Sequence, residues 1–147
     1  MPKKRVISAA VIVVRTADNG IEVLLQLKRK FQQWEFPGGK LDGIERVRKC
    51  AKRELYEETG IIAEELEFVT YVDHSGYCCL MFIATKWSGF ACVMEPDKHS
   101  IVGWFPLQNL PDSLTKAAKA SVKVGALRPL YNKAGVNIAD VEEKYAD

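Results

Sequence analysis

The stretch GGKLDGIERVRKCAKRELYEETGI, residues 38–61, combines a glycine turn, a helical pattern and a cluster of acidic residues. We predict a helix over residues 44–59, after the turn at Asp42-Gly43. Gly60 follows the last helical residue and can adopt the left-handed conformation that ends many helices. Pro37 and the glycine pair before the helix predict a break in regular structure, where a backbone carbonyl could reach an ion held by the helix.

The predicted helix has an apolar face that turns acidic toward its end. At about 100° per residue, the face predicted to be core carries Val47, Cys50 and Ala51, with Leu55 at its edge. One turn further on, the same stripe meets three carboxylates at spacing i, i+3, i+4, those of Glu54, Glu57 and Glu58. The opposite face is predicted to be solvated and carries Lys49, Lys52, Glu45 and Tyr56.

Three like charges on an inward face repel one another and lose hydration. A divalent cation between them would offset both costs, so the pattern predicts a metal site. The alternative is an ordinary charged helix in solvent, which the inward phase of the glutamates disfavours.

Composition indicates one folded domain over residues 1–147, with a C-terminal stretch, residues 132–147, that is polar enough to be a loose tail or to dock on a partner. The chain is 48% hydrophobic and 27% charged, and it has no apolar run of about 18 residues that could span a bilayer. The basic, apolar N-terminus lacks signal-peptide cleavage punctuation. The four cysteines have no CxxC spacing, which favours reduced thiols in a cytoplasmic protein.

The net charge of +2 conceals two basic stretches. Residues 1–30 contain seven Lys or Arg against Asp18 and Glu22, and residues 114–133 contain five and no acid. Acidic residues are concentrated between these stretches, around the predicted metal site. Such a junction suits a polyphosphate bound through cations, although solvated faces explain the same pattern.

Hydrophobic patterning predicts a mixed sheet covered on both faces. The predicted strands are residues 5–15, 21–27, 66–72, 77–87 and 101–105, of which the first two form an antiparallel pair across a turn at residues 16–20. The strand over residues 77–87 is nearly continuous in apolar character, which indicates an interior position. A second helix, over residues 113–127, is predicted to be capped by Ser113 and to cover a sheet face through a thin stripe of Leu114, Ala117, Val122 and Val124.

The acidic stretch resembles the signature of the Nudix hydrolases. The spacing G-x5-E-x7-R-E-U-x-E-E-x-G-U, where U is aliphatic, is matched at Gly39, Glu45, Arg53, Glu54, Leu55, Glu57, Glu58, Gly60 and Ile61. The preceding WEFPGGK is similar to that of MutT-type nucleoside triphosphate pyrophosphohydrolases. The resemblance implies an α/β/α sandwich that hydrolyses a nucleoside diphosphate linked to another moiety.

Residue roles follow from that resemblance, position by position. It implies Mg²⁺, with Mn²⁺ as a substitute, held by Glu54, Glu57, Glu58 and the Gly38 carbonyl. Arg53 would orient the carboxylates, Glu54 is the first choice as base, and Glu45 would hold the geometry between loop and helix. Outside the motif, the expected residues are Glu95 as a further metal ligand with Asp97 behind it, and Lys28, Arg29, Lys40 and Phe36 as substrate contacts; each has an alternative as a surface or core residue. His74 and His99 are isolated in the sequence and are interpreted as satisfied or exposed histidines.

The substrate is expected to be a (d)NTP, cleaved to the monophosphate and pyrophosphate. Dinucleoside polyphosphates and nucleotide sugars are alternatives, and Tyr77 lies about where dinucleoside-cleaving relatives carry a tyrosine. MutT reads oxidised guanine partly through an asparagine near the start of its last helix, and residues 113–120 contain none. A nucleotide-sensing module without catalysis is the alternative of another class, which the complete set of glutamates disfavours. No membrane or stable nucleic-acid partner is expected, and the resemblance allows a homodimer.

Overall fold

The computed structural model describes residues 5–145, so residues 1–4, with the basic Lys3 and Lys4, and the last two residues of the predicted tail, 146–147, lie outside it. The elements of this part of the chain are β1 (Val6–Ala17), β2 (Gly20–Lys28), β3 (Gln33–Glu35), β4 (Gly38–Lys40), α1 (Val47–Thr59), β5 (Ile62–Ala63), β6 (Glu67–His74), β7 (Tyr77–Ala84), β8 (Trp87–Ser88), β9 (His99–Pro106), α2 (Lys116–Lys123), α3 (Arg128–Ala134) and α4 (Ile138–Lys144). None of the helices in residues 5–145 has the length and hydropathy that a membrane crossing requires.

Seven strands form one mixed sheet in the order β3-β2-β1-β7-β6, with β4 paired to β1 and β9 paired to β2. Strand β1 runs antiparallel to β2 and β4 and parallel to β7. The predicted mixed sheet with helices on both faces is confirmed, as is the antiparallel pair β1 and β2. Their turn is shorter than predicted, because the two strands pair as far as Ala17 and Gly20. Strand β7 lies between β1 and β6, inside the sheet as predicted.

Strand β1 supplies both layers of the core. Successive side chains of a strand point to opposite faces, so its odd and even positions separate. Ala9, Val11 and Val13 pack in the cluster that contains α1, whereas Ile12 and Val14 pack in the cluster that contains residues of α2, α3 and α4. A strand buried on both faces needs a continuous apolar run, which explains the sequence of β1.

Helix α1 begins at Val47, three residues later than predicted, and ends as predicted at Thr59, followed by Gly60 with φ of +79°. The loop before it is held out of the helix by Glu45, whose carboxylate accepts a hydrogen bond of 2.9 Å from the Asp42 backbone N–H. Arg46 accordingly has an extended backbone, with ψ of 149°. Ile44, which the prediction placed in the helix, is fully exposed.

Two other predicted boundaries are wrong. Gly38 and Gly39 do not break regular structure but form β4, which pairs with Ala10 and Ala9 of β1. A Cβ atom at Gly38 would lie 2.7 Å from the Ala10 Cα atom, so this close pairing requires glycine. The strand predicted to reach Trp87 ends at Ala84, and β8 pairs separately with β5.

The C-terminal helices also differ from the prediction. Thr115, and not Ser113, caps α2 by accepting a hydrogen bond of 3.2 Å from the Ala118 N–H. The Ser113 hydroxyl instead donates to the Gln32 carbonyl oxygen at 3.3 Å. The helix ends at Lys123. Ala118 is buried in place of the predicted Ala117, and Val124, which was predicted to belong to the buried stripe, is exposed. This helix belongs to the larger core cluster, so it contributes to the core as well as covering the sheet.

The segment predicted as a loose polar tail contains α4 and packs on the core. Val141 and Tyr145 are buried in the cluster that also contains residues of α2 and α3. The Tyr145 hydroxyl donates to the Pro111 carbonyl oxygen at 2.7 Å. The apolar residues of this segment are few but share one helical face, which the low overall hydrophobicity of the segment conceals.

Candidate active site

Arg53 on α1 joins three carboxylates. Its guanidinium donates to both oxygens of Glu45 at 2.7 and 2.8 Å, to Glu54 at 3.0 Å and to Glu57 at 3.1 Å. The planar fork of arginine suits such a multiple contact, which the single ammonium of a lysine cannot reproduce. The hydrogen bond from Arg53 is the main reason why the pKa of Glu45 falls to about 2. Glu45, predicted on the solvated side of the helix, therefore faces Arg53, and its side chain is largely covered.

Glu58 is the buried carboxylate of the site, with only 5% of the residue exposed. Its Oε1 atom accepts a hydrogen bond of 2.8 Å from the Gly38 N–H, and its Oε2 atom accepts one of 2.8 Å from Gln26 Nε2. Burial raises the pKa of Glu58 to about 7, although both hydrogen bonds and the nearby His99 lower it. Strand β2, strand β4 and helix α1 therefore meet at one carboxylate.

The other two glutamates are less buried than the sequence predicts. The side chain of Glu54 is 18% exposed and that of Glu57 is 47% exposed, so Glu57 lies at the outer edge of the stripe and not on an inward face. Successive residues of an α-helix point in directions about 100° apart around its axis. Glu58 therefore faces the core while Glu57, its neighbour in α1, lies toward solvent. Burial, followed by the neighbouring charges of Glu57 and Glu95, raises the pKa of Glu54 against the lowering effect of Arg53.

Gly39 brings the backbone of β4 against Glu54. A Cβ atom at this position would lie 2.6 Å from Oε2 and 2.7 Å from Oε1 of Glu54, closer than non-bonded atoms approach. Gly38 contacts the site through its N–H, which donates to Glu58. Its carbonyl, predicted as a metal ligand from the resemblance, stays a prediction.

A cleft of about 630 Å³ lies over Glu54 and Glu58, whereas Glu57 is not among the residues that line it. Glu95 lines it together with Glu54 and Glu58, and Asp97 also lines it. The predicted basic residues lie in the same cleft, which is lined by Lys28, Arg29 and Lys40. Arg29, directly after β2, contacts the segment directly before β9, since its backbone N–H donates to the Lys98 carbonyl oxygen at 2.9 Å. The cleft thus combines an acidic floor with basic side chains at its rim.

A second cavity, of about 420 Å³, opens beside this cleft. The two share Lys28, Glu35, Gly38, Gly39 and Lys40. Aromatic and sulfur-containing side chains line the second cavity, among them Phe36, Tyr77, Cys79 and Met81. Phe36 is 7% exposed, so it lines the cavity and belongs to the core. None of the described residues that line this cavity is an asparagine.

Gln26, Glu35 and His99 belong to the site but were not predicted from the sequence. Gln26 is fully buried and donates to Glu58, and His99 is 3% exposed with its Nε2 atom 2.8 Å from Glu35 Oε2. His99 Nε2 also lies 3.7 Å from Glu58 Oε2, so His99 is the satisfied histidine of the two predicted alternatives, with carboxylates of the site as its neighbours. His74 lies elsewhere, at the wall of the second cavity. A glutamine within the apolar run IEVLLQL was the available signal, because a buried amide requires a partner.

The carboxylate oxygens of Glu54, Glu58 and Glu95 in the cleft are of the ligand type that a divalent cation such as Mg²⁺ prefers. Of the described residues, none donates a hydrogen bond to Oε2 of Glu54 or to Oε1 of Glu57, so these two oxygens are available as ligands. Among the described residues, the three whose ligand atoms all lie within 4.8 Å of one another are Glu35, Glu58 and His99, and not the predicted Glu54, Glu57 and Glu58. His99 Nε2 and Glu35 Oε2 are hydrogen-bonded to each other, so these two atoms have a partner without an ion.

Comparison with known proteins identifies the family. A family model of the NUDIX domain matches residues 4–127. An 8-oxo-dGTP diphosphatase of Buchnera aphidicola is 38% identical over 66 residues, which are 42% of this chain and 53% of that protein. An RNA pyrophosphohydrolase of Cereibacter sphaeroides is 56% identical over 36 residues, 24% of this chain and 22% of that protein. The chain therefore spans about half or less of the length of these two relatives.

Solved structures agree with this assignment. A MutT NUDIX hydrolase from Burkholderia pseudomallei superposes with a TM-score of 0.73 at 32% sequence identity, covering 80% of this chain and 95% of that one. The family match covers the complete acidic signature, the sheet and α2. By signature, fold and family match, the chain belongs to the Nudix hydrolases.

Proposed function

We propose that this Nudix hydrolase is a Mg²⁺-dependent pyrophosphohydrolase that cleaves a nucleoside triphosphate to the monophosphate and pyrophosphate, in the housekeeping or sanitation of the nucleotide pool. The observation that carries the proposal is the junction of the two cavities. Glu54, Glu58 and Glu95 line a cleft rimmed by basic side chains, and a largely apolar cavity opens beside it. A phosphate chain suits the cleft, and a nucleoside suits the cavity.

Glu54, Glu57, Glu58, Glu95 and the Gly38 carbonyl are the proposed metal ligands. A bound Mg²⁺ would neutralise charge on the phosphate oxygens and lower the pKa of a bound water, and Mn²⁺ is the expected substitute. Arg53 holds Glu54 and Glu57 in fixed positions through hydrogen bonds of 3.0 and 3.1 Å. Pre-positioned ligands avoid reorganisation when the substrate binds, which supports a catalytic role for this helix end.

Glu54 is the proposed general base. It lies in the cleft, one of its oxygens accepts no hydrogen bond from a described residue, and burial raises its pKa above the ordinary glutamate value. A base with a raised pKa takes a proton more readily than an exposed carboxylate does. Lys28, Arg29 and Lys40 would contact the phosphates, and Phe36 would contact the nucleobase.

The base preference is not expected to be restricted to oxidised guanine. The nucleoside cavity is lined by Phe36, Cys79 and Met81, by the buried residues Ser8 and Ser121, and by no asparagine among its described residues. Strong rejection of a wrong base requires buried polar groups that the wrong base leaves unpaired. Ser8 and Ser121 supply buried polar groups of that kind, so the lining does not favour equal use of every base.

A nucleotide panel tests the proposal. Purified protein with Mg²⁺ is incubated with nucleoside triphosphates, dinucleoside polyphosphates and nucleotide sugars, and the products are separated by chromatography. Glu57→Gln should lower turnover by about 10² to 10³-fold while the melting temperature stays near that of the wild type. Glu67→Gln, an exposed carboxylate on β6, is the matched control and should retain activity.

Three results would contradict the proposal. The wild type could turn over no member of the panel, Glu57→Gln could match it, or chelation of Mg²⁺ could leave turnover unchanged. Nucleotide binding without turnover would favour the sensing module instead. Cleavage of dinucleoside polyphosphates or nucleotide sugars in place of triphosphates would support the alternative substrates.

We further propose that the protein acts in the cytoplasm. We also propose a homodimer, which the resemblance allows and which light scattering tests. All four cysteines are free thiols, which supports a reducing compartment. An elution mass of one chain at micromolar concentration would contradict the dimer.

A further inference from the structure

Lys40 lies where the two cavities of the site join. It lines both the cleft that is proposed to hold the phosphates and the cavity that is proposed to hold the nucleoside. Its backbone is held in place, because Lys40 ends β4 and its carbonyl oxygen accepts a hydrogen bond of 3.3 Å from Arg53. The side chain is exposed, and within residues 5–145 its ammonium forms no ion pair with a carboxylate. A lysine stem is flexible, so the ammonium has a defined place only where another contact restricts it.

The ring of Tyr77 provides such a contact. The Lys40 Nζ atom lies 5.5 Å from the centre of this ring, within the range in which an aromatic ring attracts a cation. The sheet explains why the two side chains meet. Lys40 of β4 pairs with Ser8 of β1. Tyr77 of β7 pairs with Val6, two residues earlier on β1. Paired residues, and residues two apart on a strand, point to the same face of a sheet, which here is the face that bears the nucleoside cavity.

We propose that Tyr77 is a positioning residue whose ring holds the Lys40 ammonium toward the phosphate that is attached to the nucleoside. The inference rests on the proposed function, because it assumes that a nucleoside occupies the cavity and that its phosphates occupy the cleft. Tyr77 lines the cavity but not the cleft, so it acts on the phosphate only through Lys40. A lysine that is already restricted loses less conformational entropy when the phosphate binds, and the affinity for the nucleotide rises accordingly.

Competitive inhibition of triphosphate turnover with Mg²⁺ tests the proposal. The inhibitors are the monophosphate and the nucleoside of the triphosphate that is turned over fastest in the nucleotide panel. Tyr77→Leu should raise the inhibition constant of the monophosphate about fivefold more than that of the nucleoside. Tyr77→Phe keeps a ring and should restore the ratio of the two constants. Tyr71→Leu, which truncates an exposed tyrosine of β6 outside both cavities, is the control and should leave the ratio unchanged.

A double-mutant cycle shows whether Tyr77 acts through Lys40. Lys40→Met removes the ammonium and keeps an unbranched side chain, and it should raise the ratio about tenfold. Adding Tyr77→Leu to Lys40→Met should raise the ratio no further, because the ring then has no cation to hold. A double variant whose effect is the product of the two single effects would overturn the proposal. A residue that only shapes the cavity would change both inhibition constants by the same factor, which would overturn it as well. If Tyr77→Leu does not fold, Tyr77→Ile takes its place.

The outcomes separate this inference from the proposed function. If triphosphates are turned over and Tyr77→Leu leaves the ratio unchanged, the positioning role fails and the triphosphate hydrolase stands. If no triphosphate is turned over, the proposed function fails. Equilibrium binding of AMP and adenosine to the same variants is then compared. A ratio of dissociation constants that Tyr77→Leu does not change, or an absence of AMP binding to the wild type, overturns the positioning role too.

Discussion

Replacing Gly39 with alanine should displace the Glu54 carboxylate and lower turnover strongly, while the free energy of unfolding falls only slightly. Gly39 has no positive φ, so its backbone accepts alanine, and the new methyl group is the only disturbance. That methyl carbon would lie 2.6 Å from Oε2 and 2.7 Å from Oε1 of Glu54. The carboxyl carbon Cδ of Glu54 lies closer still, and ordinary contact begins near 3.4 Å, so the carboxylate must move by roughly 1 Å.

The two consequences of this movement differ in size. Insertion of a methyl group into a packed site typically costs about 1 to 3 kcal/mol, and we expect about 1 kcal/mol because the end of the Glu54 side chain can rotate. The rotation disturbs the hydrogen bond of 3.0 Å from Arg53 and displaces the proposed base and metal ligand. Misplacement of a catalytic group by about 1 Å can reduce turnover about 10²-fold.

The assay compares Gly39→Ala with Gly43→Ala. Gly43 lies in the loop before α1 with φ of +58°, and a methyl group added there would have no heavy atom within 4 Å, so alanine costs about 1 kcal/mol through the backbone alone. Urea unfolding should show similar losses of stability in both variants. Turnover of the best nucleotide substrate with Mg²⁺ should fall only in Gly39→Ala.

Turnover of Gly39→Ala within about twofold of the wild type would contradict the prediction, because Glu54 would then not depend on the glycine for its position. Equal losses of turnover in both variants would also contradict it, since they would indicate a general response of the loop between β4 and α1.

Other predictions concern residues around the site and in the core. Arg53→Lys should reduce turnover about 10²-fold and the free energy of unfolding by about 2 kcal/mol, because a lysine cannot hold three carboxylates; kinetics and urea unfolding measure both. Thr115→Ala should cost about 1 kcal/mol and Ser113→Ala less than about 0.5 kcal/mol in urea unfolding, since only Thr115 caps α2, and the reverse order would restore the predicted cap at Ser113. Iodoacetamide at neutral pH should modify Cys92 and spare Cys50 until the chain unfolds, because burial raises the pKa of Cys50 to about 12 while Cys92 is exposed; mass spectrometry of the two peptides distinguishes them.

Local pattern was sufficient for several elements of the fold. The apolar stripe of α1 predicts Cys50, Ala51 and Leu55 as core, and all three are fully buried. The continuous run of β1 predicts a strand buried on both faces. Boundaries were less predictable, since the start of α1 depends on the Glu45 carboxylate, which binds the Asp42 N–H and Arg53 across the loop.

The second helix shows why such details escape a sequence pattern. Ser113 and Thr115 are both acceptable caps by residue type. Pairing of this segment with β3 decides between them, because the Trp34 N–H donates to the Ser113 carbonyl and the Thr115 N–H donates to the Trp34 carbonyl. These bonds extend the backbone up to Thr115, so the helix begins after it.

The family, the mixed sheet and the glutamates of α1 could be read from the amino-acid sequence alone, because the acidic signature and the hydrophobic periods are local properties of the chain. Which of these glutamates is buried, and what surrounds it, depended on tertiary packing. Glu58 meets Gln26 and His99 from other strands, whereas Glu57, its neighbour in sequence, remains exposed beside Arg53. The helical period determines only the direction in which each glutamate side chain leaves α1. The burial, the pKa and the hydrogen-bond partners of each glutamate depend on which residues of β2, β4 and β9 lie opposite it.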